Sequence, residues 1–332
     1  MRKATVRVGI IGRGFGARVV APVFAETDGC EVVSVVSPRA SAEVRALCRR
    51  DDVDLVAVHS PPFLHLEHVR TAVEAGKAVL CDKPFGCSAA EAGTMLDLAG
   101  DAGVVHLLNF EFRCHPGREA LRSLMIDGAV GGVEHLQWTQ LSAGSVSPLR
   151  RYGWLFDRRL GGGWVGAWGS HAIDFLLWSL GPLPEAAAHL RTTIDERPDE
   201  AGRLHPCTAE DGFTAWLRSA AGVTVTIDTT FAAPVNLPSR VIVTGSAGVL
   251  EVVGDRRITL HTDAGRSEPF AFDHGNSDPH LLPMRRWAVE VRDAVAAGST
   301  PPGLPTFTDG LACAEVMDRL RAGSPPLAPA TP

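Results

Sequence analysis

Short apolar runs alternate with longer amphipathic stretches through the first third of the chain. The apolar runs predict strands at 5–11, 31–36, 53–58, 78–81 and 104–108. Between them apolar residues recur with helical spacing, which predicts helices at 17–25, 41–50, 64–75 and 89–101. We expect Ser41 to cap the second of these helices. Strands that alternate with helices are typical of a parallel sheet with crossover helices, so residues 1–115 are predicted to form an α/β domain.

The pattern changes after residue 115, where apolar and polar positions alternate over long runs. These runs predict strands at 133–141, 186–194, 212–219, 222–230, 239–244, 248–253 and 256–262. Two tight turns, 219–222 and 245–248, are typical of hairpins. Further helices are expected at 117–125, 171–180, 281–297 and 308–322. The sequence thus predicts an α+β domain with an antiparallel sheet over 116–322, and a disordered tail at 323–332.

The composition is that of a soluble globular protein, since 45% of residues are hydrophobic and 21% are charged. The net charge of −6 and the scattered Lys and Arg residues argue against a nucleic-acid-binding face. No apolar run approaches the roughly 20 residues needed to cross a bilayer, and no export signal is found. Seven cysteines without a C-x-x-C pair favour a reducing compartment. We therefore expect a cytoplasmic protein.

A glycine cluster lies between the first strand and the first helix. The segment Gly12-Arg13-Gly14-Phe15-Gly16-Ala17 fits the pattern G-x-G-x-x-A. Glycines are needed there because the turn is tight and a pyrophosphate must approach bare backbone at a helix N-terminus. The cluster predicts a dinucleotide site that includes Gly12, Gly14, Phe15 and Gly16. The alternative is a glycine-rich turn in an unrelated α/β protein.

The residues after the second strand bear on which dinucleotide binds. An acid is expected there to hold the ribose of NAD, but the chain has Ser37-Pro38-Arg39. A guanidinium suits a 2′-phosphate. Ser37 and Arg39 therefore favour NADP over NAD, and a solvated arginine in a turn is the alternative.

Five ordered motifs resemble the glucose-fructose oxidoreductase / inositol dehydrogenase / MocA (Gfo/Idh/MocA) family. They are GIIGRGFG, VDLVAVHSPPFLH, EAGKAVLCDKP, NFEFRCHP and GGGWVGAWGSHAID. The resemblance implies a Rossmann domain followed by an open, mainly antiparallel sheet, which often forms the interface of a homo-oligomer, here a dimer or tetramer. It also implies a dehydrogenase or ketoreductase that acts on sugars, cyclitols or nucleotide-linked sugars with NAD or NADP.

The resemblance assigns roles to residues of the first domain. Lys83 matches the lysine that touches both the nicotinamide and the substrate hydroxyl. A cation at the end of a parallel strand lowers the pKa of a reacting hydroxyl, and such strand ends are where α/β sheets bind ligands. Ser60, Pro61 and His65 match a loop that lies under the cofactor. Asn109 matches a cofactor-binding amide, and Arg113 matches a substrate-binding guanidinium.

In the second domain, His171 matches the family's general acid/base histidine. An imidazole titrates near neutral pH, as proton exchange with an alcohol or ketone requires; a structural histidine at a helix start is the alternative. Asp174, one helical turn later, would hold this imidazole or simply pack. Trp154 and Trp164 would either stack on a sugar ring or fill core.

The chain departs from the family pattern in two places. Where the family has Asp-x-Gly-x-His, this chain has Ala167 before His171, so the carboxylate that would position the substrate is absent. Tyr152 is a candidate substitute, and an aromatic that packs within its loop is the alternative. Only 15 residues separate Ser37 from Val53. A helix–strand unit is therefore predicted to be deleted, which leaves the second strand at the sheet edge and weakens cofactor binding.

Two other functions stay open beside the dehydrogenase. One is a cofactor- or ligand-binding member of the family with reduced catalysis, and the other is a glycosidase that uses nicotinamide for transient oxidation. No metal site is predicted, because His65 and His68 share a helix face but lack a third ligand. No thiol nucleophile is predicted at Cys114-His115, which lacks an acid partner and an oxyanion motif.

Overall fold

The computed structural model describes residues 5–272 and 278–323. Within these residues the chain divides into two compact units. The first comprises 5–116, 159–161 and 278–314, and the second comprises 117–158, 162–272 and 315–323. Residues 278–314, which the sequence placed in the second domain, thus group with the first unit. Apart from Gly323, the tail predicted at 323–332 lies outside the described residues.

The first unit is built on a parallel sheet. Its strands are β1 (Val6–Ile11), β2 (Cys30–Val36), β3 (Leu55–Val58), β4 (Ala78–Cys81) and β5 (His106–Leu108). In the described part of the chain they lie in the order β2-β1-β3-β4-β5, and each neighbouring pair is parallel. The central strand β3, LVAV, is buried at all four positions, as expected where helices cover both faces of a sheet. The predicted Rossmann-type architecture is confirmed.

Four helices connect these strands. They are α1 (Ala21–Glu26), α2 (Ser41–Cys48), α3 (His65–Glu74) and α4 (Ala89–Ala102). The helix predicted at 17–25 begins instead as a π-helical turn over Gly16–Val20, which leads into α1. The prediction that Ser41 caps α2 is wrong, because Ala40 holds the N-cap position and Ser41 is the first helical residue.

The connection between β2 and β3 is short. Within residues 37–54 it contains only α2, and β2 is the last strand on its side of the sheet among the described residues. The predicted deletion of a helix–strand unit is therefore confirmed. As an edge strand β2 buries Val36 and leaves its other six residues partly or largely exposed.

The core of the first unit explains why residues 278–314 belong to it. Helix α7 (Leu281–Ala297) has a stripe of buried residues with helical spacing: Met284, Trp287, Ala288, Val291 and Ala294. These residues form one hydrophobic cluster with β1 and α1, including Val8, Ile10 and Phe24. The apolar stripe of α7 thus completes the Rossmann core.

The second unit is built on a larger sheet. Its strands are β6 (Val133–Leu141), β7 (Glu185–Arg191), β10 (Gly212–Arg218), β11 (Thr224–Thr230), β12 (Arg240–Gly245), β13 (Gly248–Val253), β14 (Arg257–Thr262) and β15 (Gly265–Ala271). In the described residues their order is β15-β14-β13-β12-β6-β11-β10-β7. Only the β6–β11 pair is parallel, so the predicted mainly antiparallel sheet is confirmed.

Three strands of the second unit were not predicted. Strands β8 (Glu196–Pro198) and β9 (Leu204–Pro206) form a hairpin of three residues a side, and each ends in proline. Strand β15 has the polar sequence GRSEPFA and is mostly exposed. Neither segment has the apolar alternation that marks a half-buried strand.

The remaining helices are α5 (Pro116–Ile126), α6 (Ser170–Leu180) and α8 (Phe307–Ala322). Helix α6 follows a π-helical turn over Val165–Gly169. Within residues 5–272 and 278–323, every helix is too short or too polar to span a bilayer.

Candidate cofactor-binding and catalytic site

The glycine turn after β1 is shaped by the end of β3. Gly12 has φ +146°, and a Cβ atom there would overlap with the carbonyl oxygen of His59. A Cβ atom at Gly16 would lie 3.1 Å from both the Cβ of His59 and the Cγ2 of Ile10. The first and third glycines of the pattern are therefore required by close packing within the fold.

Gly14 differs from these two glycines. It is exposed, and a Cβ atom there would meet nothing within 4 Å in the described part of the chain. Packing therefore does not explain a glycine at this position. A phosphate group that approaches the backbone at the N-terminus of the helical segment 16–26 would explain it, because a side chain would block that approach. The turn fits the pyrophosphate of a dinucleotide.

The loop after β3 is fixed by two histidines of α3. His65 is fully buried, and its Nε2 lies 2.8 Å from the carbonyl oxygen of Ser60. His68 Nδ1 lies 3.0 Å from Ser60 Oγ. Burial lowers the pKa of His65 to about 4 and also lowers the pKa of His68. Both imidazoles are thus neutral near pH 7. His65 holds the Ser60–Pro61 turn through its contact with the Ser60 carbonyl oxygen.

The carboxylate of Asp82, next to Lys83, is the centre of a polar cluster at the ends of β3, β4 and β5. His59 Nδ1 lies 3.2 Å from Asp82 Oδ2. Asn109 Nδ2 donates to Asp82 Oδ1 at 3.1 Å, and the Lys83 backbone N–H donates to the same oxygen at 3.0 Å. The first unit therefore brings together Lys83, Asn109 and the glycine turn, with His59 as the link.

The charge of this cluster favours an ionised Asp82. Burial opposes ionisation, but the attraction of the nearby His59, together with Lys83 and the hydrogen bond of Asn109, outweighs it, so that the pKa of Asp82 lies well below its ordinary value. In the described residues, Asn109 Oδ1 and both ring nitrogens of His59 are buried without a hydrogen-bond partner, so His59 Nδ1 lies close to Asp82 Oδ2 without bonding to it. Buried polar atoms of this kind are commonly satisfied by a ligand or water. They fit a polar group bound at this edge of the sheet.

His59 was missed in the sequence analysis. Its side chain is fully buried, and its ring lies 5.9 Å from the ring of Phe15 in the glycine turn. The available signal was its position as the first residue after a fully apolar strand of a parallel sheet, where ligands bind. The family motif gives roles to Ser60, Pro61 and His65, which follow His59, and none to His59 itself.

Ser37 and Arg39 lie beyond the end of β2. The glycine turn reaches this strand, because the Gly12 N–H donates to the carbonyl oxygen of Val36 at 3.0 Å. The backbone N–H of Arg39 donates to Ser37 Oγ at 3.4 Å, and the Arg39 side chain is exposed. The arrangement leaves this guanidinium available to an anionic group at the edge of the sheet.

Arg113 is engaged elsewhere in the first unit. Its Nη2 donates to Asp309 Oδ1 at 2.8 Å, and its side chain is only 8% exposed. The other carboxylate oxygen of Asp309 accepts from the Thr306 N–H at 2.8 Å, at the start of α8. Arg113 thus fastens α8 to the segment after β5, which gives it a structural contact beside the substrate role that the sequence predicts.

His171 and Asp174 lie in the first turn of α6 and are each 4% exposed. Residues three apart share a helix face. Arg118 Nη1 donates to the carbonyl oxygen of His171 at 3.4 Å, and Arg118 Nε donates to Asp255 Oδ2 at 3.2 Å. A buried arginine therefore joins the start of α6 to the turn between β13 and β14.

A second carboxylate holds the segment in front of α6. Glu210 Oε1 accepts from the Val165 N–H at 3.1 Å, and the Glu210 carbonyl oxygen accepts from the Trp164 N–H at 2.8 Å. At Gly163, where φ is +110°, a Cβ atom would overlap with the Glu210 carboxylate. The glycine run before α6 thus makes room for Glu210, which caps the helical segment that begins at Val165.

Tyr152 contacts Asp157 in its own loop and two residues of the β8–β9 hairpin. Its hydroxyl donates to Asp157 Oδ2 at 3.3 Å, and its ring stacks on His205 with centroids 4.7 Å apart. The backbone N–H of Tyr152 donates to the carbonyl oxygen of Pro198 at 2.8 Å. These contacts give Tyr152 a packing role, although the partners of its ring and backbone lie in the β8–β9 hairpin and not in the loop itself.

The two tryptophans of the loop have different surroundings. Trp164 stacks on Phe231 with centroids 4.3 Å apart and on Trp168 with centroids 6.1 Å apart. Its indole N–H donates to Thr229 Oγ1 at 2.8 Å. Trp164 therefore packs against the second sheet, whereas Trp154 begins a short 3₁₀ turn and is partly exposed.

Lys83 belongs to the first unit and His171 to the second. Their convergence on one substrate carbon, which the resemblance implies, stays a prediction. Among the described residues, no group of three or more His, Cys, Asp or Glu side chains could hold a metal ion.

Two family models match this chain. One, described as "Oxidoreductase family, NAD-binding Rossmann fold", matches residues 6–110, and the other, "GFO/IDH/MocA C-terminal domain", matches residues 119–251. The first match contains the glycine turn and the Asp82 cluster, and the second contains His171. The chain belongs to the Gfo/Idh/MocA family. The resemblance carried by the five motifs is thereby confirmed.

Individual proteins are also similar to this chain. An uncharacterized oxidoreductase of Synechocystis is 32% identical over 228 residues, which are 63% of this chain and 61% of that protein's length. Inositol 2-dehydrogenase of Rhizobium meliloti is 26% identical over 338 residues, 95% of each chain. A solved structure titled levoglucosan dehydrogenase in complex with NADH and levoglucosan has a TM-score of 0.84 at 21% identity and covers 96% of this chain and 97% of its own. It shares the fold.

Proposed function

We propose that this protein is an NAD(P)-dependent dehydrogenase or ketoreductase that acts on a sugar, cyclitol or nucleotide-linked sugar. The observation that carries the proposal is the cluster His59–Asp82–Lys83, which connects a lysine at the end of β4 to a glycine turn that fits a pyrophosphate. The match to an inositol 2-dehydrogenase over 95% of the chain supports a polyhydroxylated substrate.

A bound nicotinamide dinucleotide would supply or accept the hydride. The turn Gly12, Gly14, Phe15 and Gly16 would hold its pyrophosphate, and the Ser60–Pro61 turn and Asn109 would lie along it. The exposed Arg39 and the lack of an acid at 37–39 support NADP over NAD. The exposed edge position of β2 supports weaker adenosine binding than a full Rossmann unit gives, because one wall of the pocket is missing.

Two side chains would perform the proton chemistry. The Lys83 ammonium would stabilise the developing alkoxide, since a fixed cation lowers the free energy of a negative charge that forms beside it. His171 would exchange the hydroxyl proton, and Asp174 would orient the imidazole. Both steps require that Lys83 and His171 meet at the same substrate oxygen.

A second candidate function is a ligand-binding protein that retains the fold and has lost turnover. Ala167 favours this second candidate. It stands where the family has an acid, so position 167 offers no carboxylate to position a substrate near His171. A protein that binds the cofactor but does not turn over any substrate would fit this second candidate and not an active dehydrogenase.

We further propose that the second sheet forms the interface of a cytoplasmic homo-oligomer, a dimer or tetramer. Trp216 on β10 is 42% exposed, and its neighbours across the strands are Ala187 and Thr226. A large aromatic on an open sheet face is typical of an interface. Light scattering should give a multimer for the native protein and a monomer for Trp216→Arg.

The dehydrogenase proposal is tested with matched lysine variants. Lys83→Met should bind NADPH or NADH with an affinity within about threefold of the native protein, yet lose at least about a hundredfold in kcat on a panel of keto-sugars and polyols. Lys77→Met is the control. Lys77 Nζ donates to the carbonyl oxygens of Arg50 and Val53, which are structural contacts. It should lose stability but keep kcat. Equal kcat in Lys83→Met and native protein would refute the role of Lys83.

A further inference from the structure

Each oxygen of the Asp82 carboxylate lies next to a polar group of the first unit. Oδ1 accepts from Asn109 Nδ2 and from the Lys83 N–H, while Oδ2 faces His59 Nδ1 at 3.2 Å. Asp82 directly precedes the proposed catalytic lysine. These polar neighbours of Asp82 therefore decide how much of its negative charge is neutralised beside the Lys83 ammonium.

His59 contributes to two features at once. Its carbonyl oxygen and Cβ are the atoms against which Gly12 and Gly16 pack. Its imidazole, fully buried, faces the carboxylate on the other side. The residue thus touches both the turn that fits a pyrophosphate and the carboxylate next to Lys83.

Other ionisable groups surround His59. His65 and His68 lie on α3, and both are kept neutral by burial. Cys81 precedes Asp82 on β4, and burial raises its pKa, so the thiol is protonated near pH 7. Asp82 and Lys83 are then the charges that His59 meets on these elements, and Asp82 is the one in contact.

We propose that His59 is a positioning residue that binds the Asp82 carboxylate on the side of the glycine turn and thereby limits its pairing with the Lys83 ammonium. This inference rests on the proposed function, because it concerns the reactivity of the proposed catalytic lysine. Without His59, the carboxylate would be less neutralised and would attract the Lys83 ammonium more strongly. A lysine held in that way stabilises a second negative charge less well.

The chain offers a direct measurement, because only three of its 32 basic residues are lysines: Lys3, Lys77 and Lys83. Trace acetylation of the full-length protein with acetic anhydride, followed by peptide mass spectrometry, reports the fraction of each lysine present as free amine. At pH 8, His59→Leu should acetylate Lys83 about tenfold more slowly than the native protein. Lys77 serves as the internal reference and should react equally in both.

His59→Asn is the matched variant, because its amide places a donor near the position of the imidazole Nδ1. It should keep the Lys83 rate within about twofold of the native protein. An unchanged Lys83 rate in His59→Leu, or an equal slowing in His59→Leu and His59→Asn, would overturn the proposal. If His59→Leu does not fold, Asn109→Ala removes the donor on the other oxygen and should slow Lys83 at least about threefold; no slowing there would also overturn it.

The labelling requires neither cofactor nor substrate. NADPH binding to the same preparations is measured separately by fluorescence. A protein without nicotinamide binding or turnover would refute the proposed function and leave the labelling result intact, so the two failures are distinguishable.

Discussion

His65 Nε2 donates to the carbonyl oxygen of Ser60 at 2.8 Å, and the imidazole that makes this bond is completely buried. A carbonyl oxygen only accepts, so the proton sits on Nε2, and in the described residues Nδ1 has no partner. The loop that follows β3 is therefore held by a neutral histidine, and a second proton on that ring would be a buried charge without compensation.

This relationship makes the stability of the protein depend on pH. The pKa of His65 is about 4 in the folded state against an ordinary 6.5, so the unfolded chain binds the additional proton between these values. Stability should be complete above pH 6.5 and fall as the pH drops toward 4, by about 3 kcal/mol from this residue. His68 acts in the same direction. Urea unfolding of the native protein from pH 7 to pH 4.5 measures the slope.

The control for this prediction is another histidine. His65→Gln should unfold more easily at pH 7 but show a flatter pH dependence, because the buried titrating group is gone. His189→Gln, on the exposed side of β7, should follow the native curve. A slope in His65→Gln equal to that of the native protein would exclude His65 as its source.

Gly14→Ala separates folding from cofactor binding. Nothing in the described structure lies within 4 Å of the added methyl group, so the midpoint of thermal unfolding should stay within about 2 °C. A pyrophosphate on this backbone would meet that methyl group, and the Kd for NADPH should rise at least about tenfold. Fluorescence titration measures the second quantity.

Gly100→Ala provides the comparison for Gly14→Ala. It also adds a methyl group with no neighbour within 4 Å, but inside α4. It should raise stability by about 1 kcal/mol, since alanine favours helix, and leave the Kd unchanged. Unchanged NADPH affinity in Gly14→Ala would place the cofactor elsewhere.

Arg113→Met tests whether Arg113 acts on the fold or on the substrate. The variant removes the contact with Asp309, whose carboxylate is about one-third exposed, and should lower the free energy of unfolding by about 1–2 kcal/mol. Chemical denaturation measures that loss. A substrate contact predicts instead a higher KM at unchanged stability. The substrate role would be abandoned if KM stayed the same while stability fell.

The pattern of apolar and polar residues was sufficient to predict most helices and strands, but not to predict which of them pack together. Alternating runs predict β1 to β5 and the short β2–β3 connection, because the periods of strands and helices are local properties of sequence. Helix α7 has the predicted bounds of 281–297, yet its apolar stripe does not reveal which sheet it covers. Strand β15 pairs through its backbone with polar, exposed side chains, so no alternation marked it.

The candidate site shows the same division. Gly12, Gly14 and Lys83 could be found because motif and strand end coincide in sequence. His59 could not be recognised as a site residue from the sequence. Its contact with Asp82 exists only because β3 pairs with β4, which brings residues 59 and 82 together. Contacts of this kind depend on register, which a single sequence states only indirectly.

Ala167→Asp tests the departure from the family pattern. Position 167 is partly exposed in the π-helical turn before α6 and lies four residues before His171, so a carboxylate there would share its helix face. If the missing acid limits turnover, the variant should raise kcat/KM at least about tenfold on whichever keto-sugar or polyol the native protein uses. Ala167→Asn introduces a side chain of nearly the same volume as aspartate but without its charge, and it should give no such gain. An equal rise in both variants would assign the effect to shape, and no rise in either would show that this chain orients its substrate without an acid at this position.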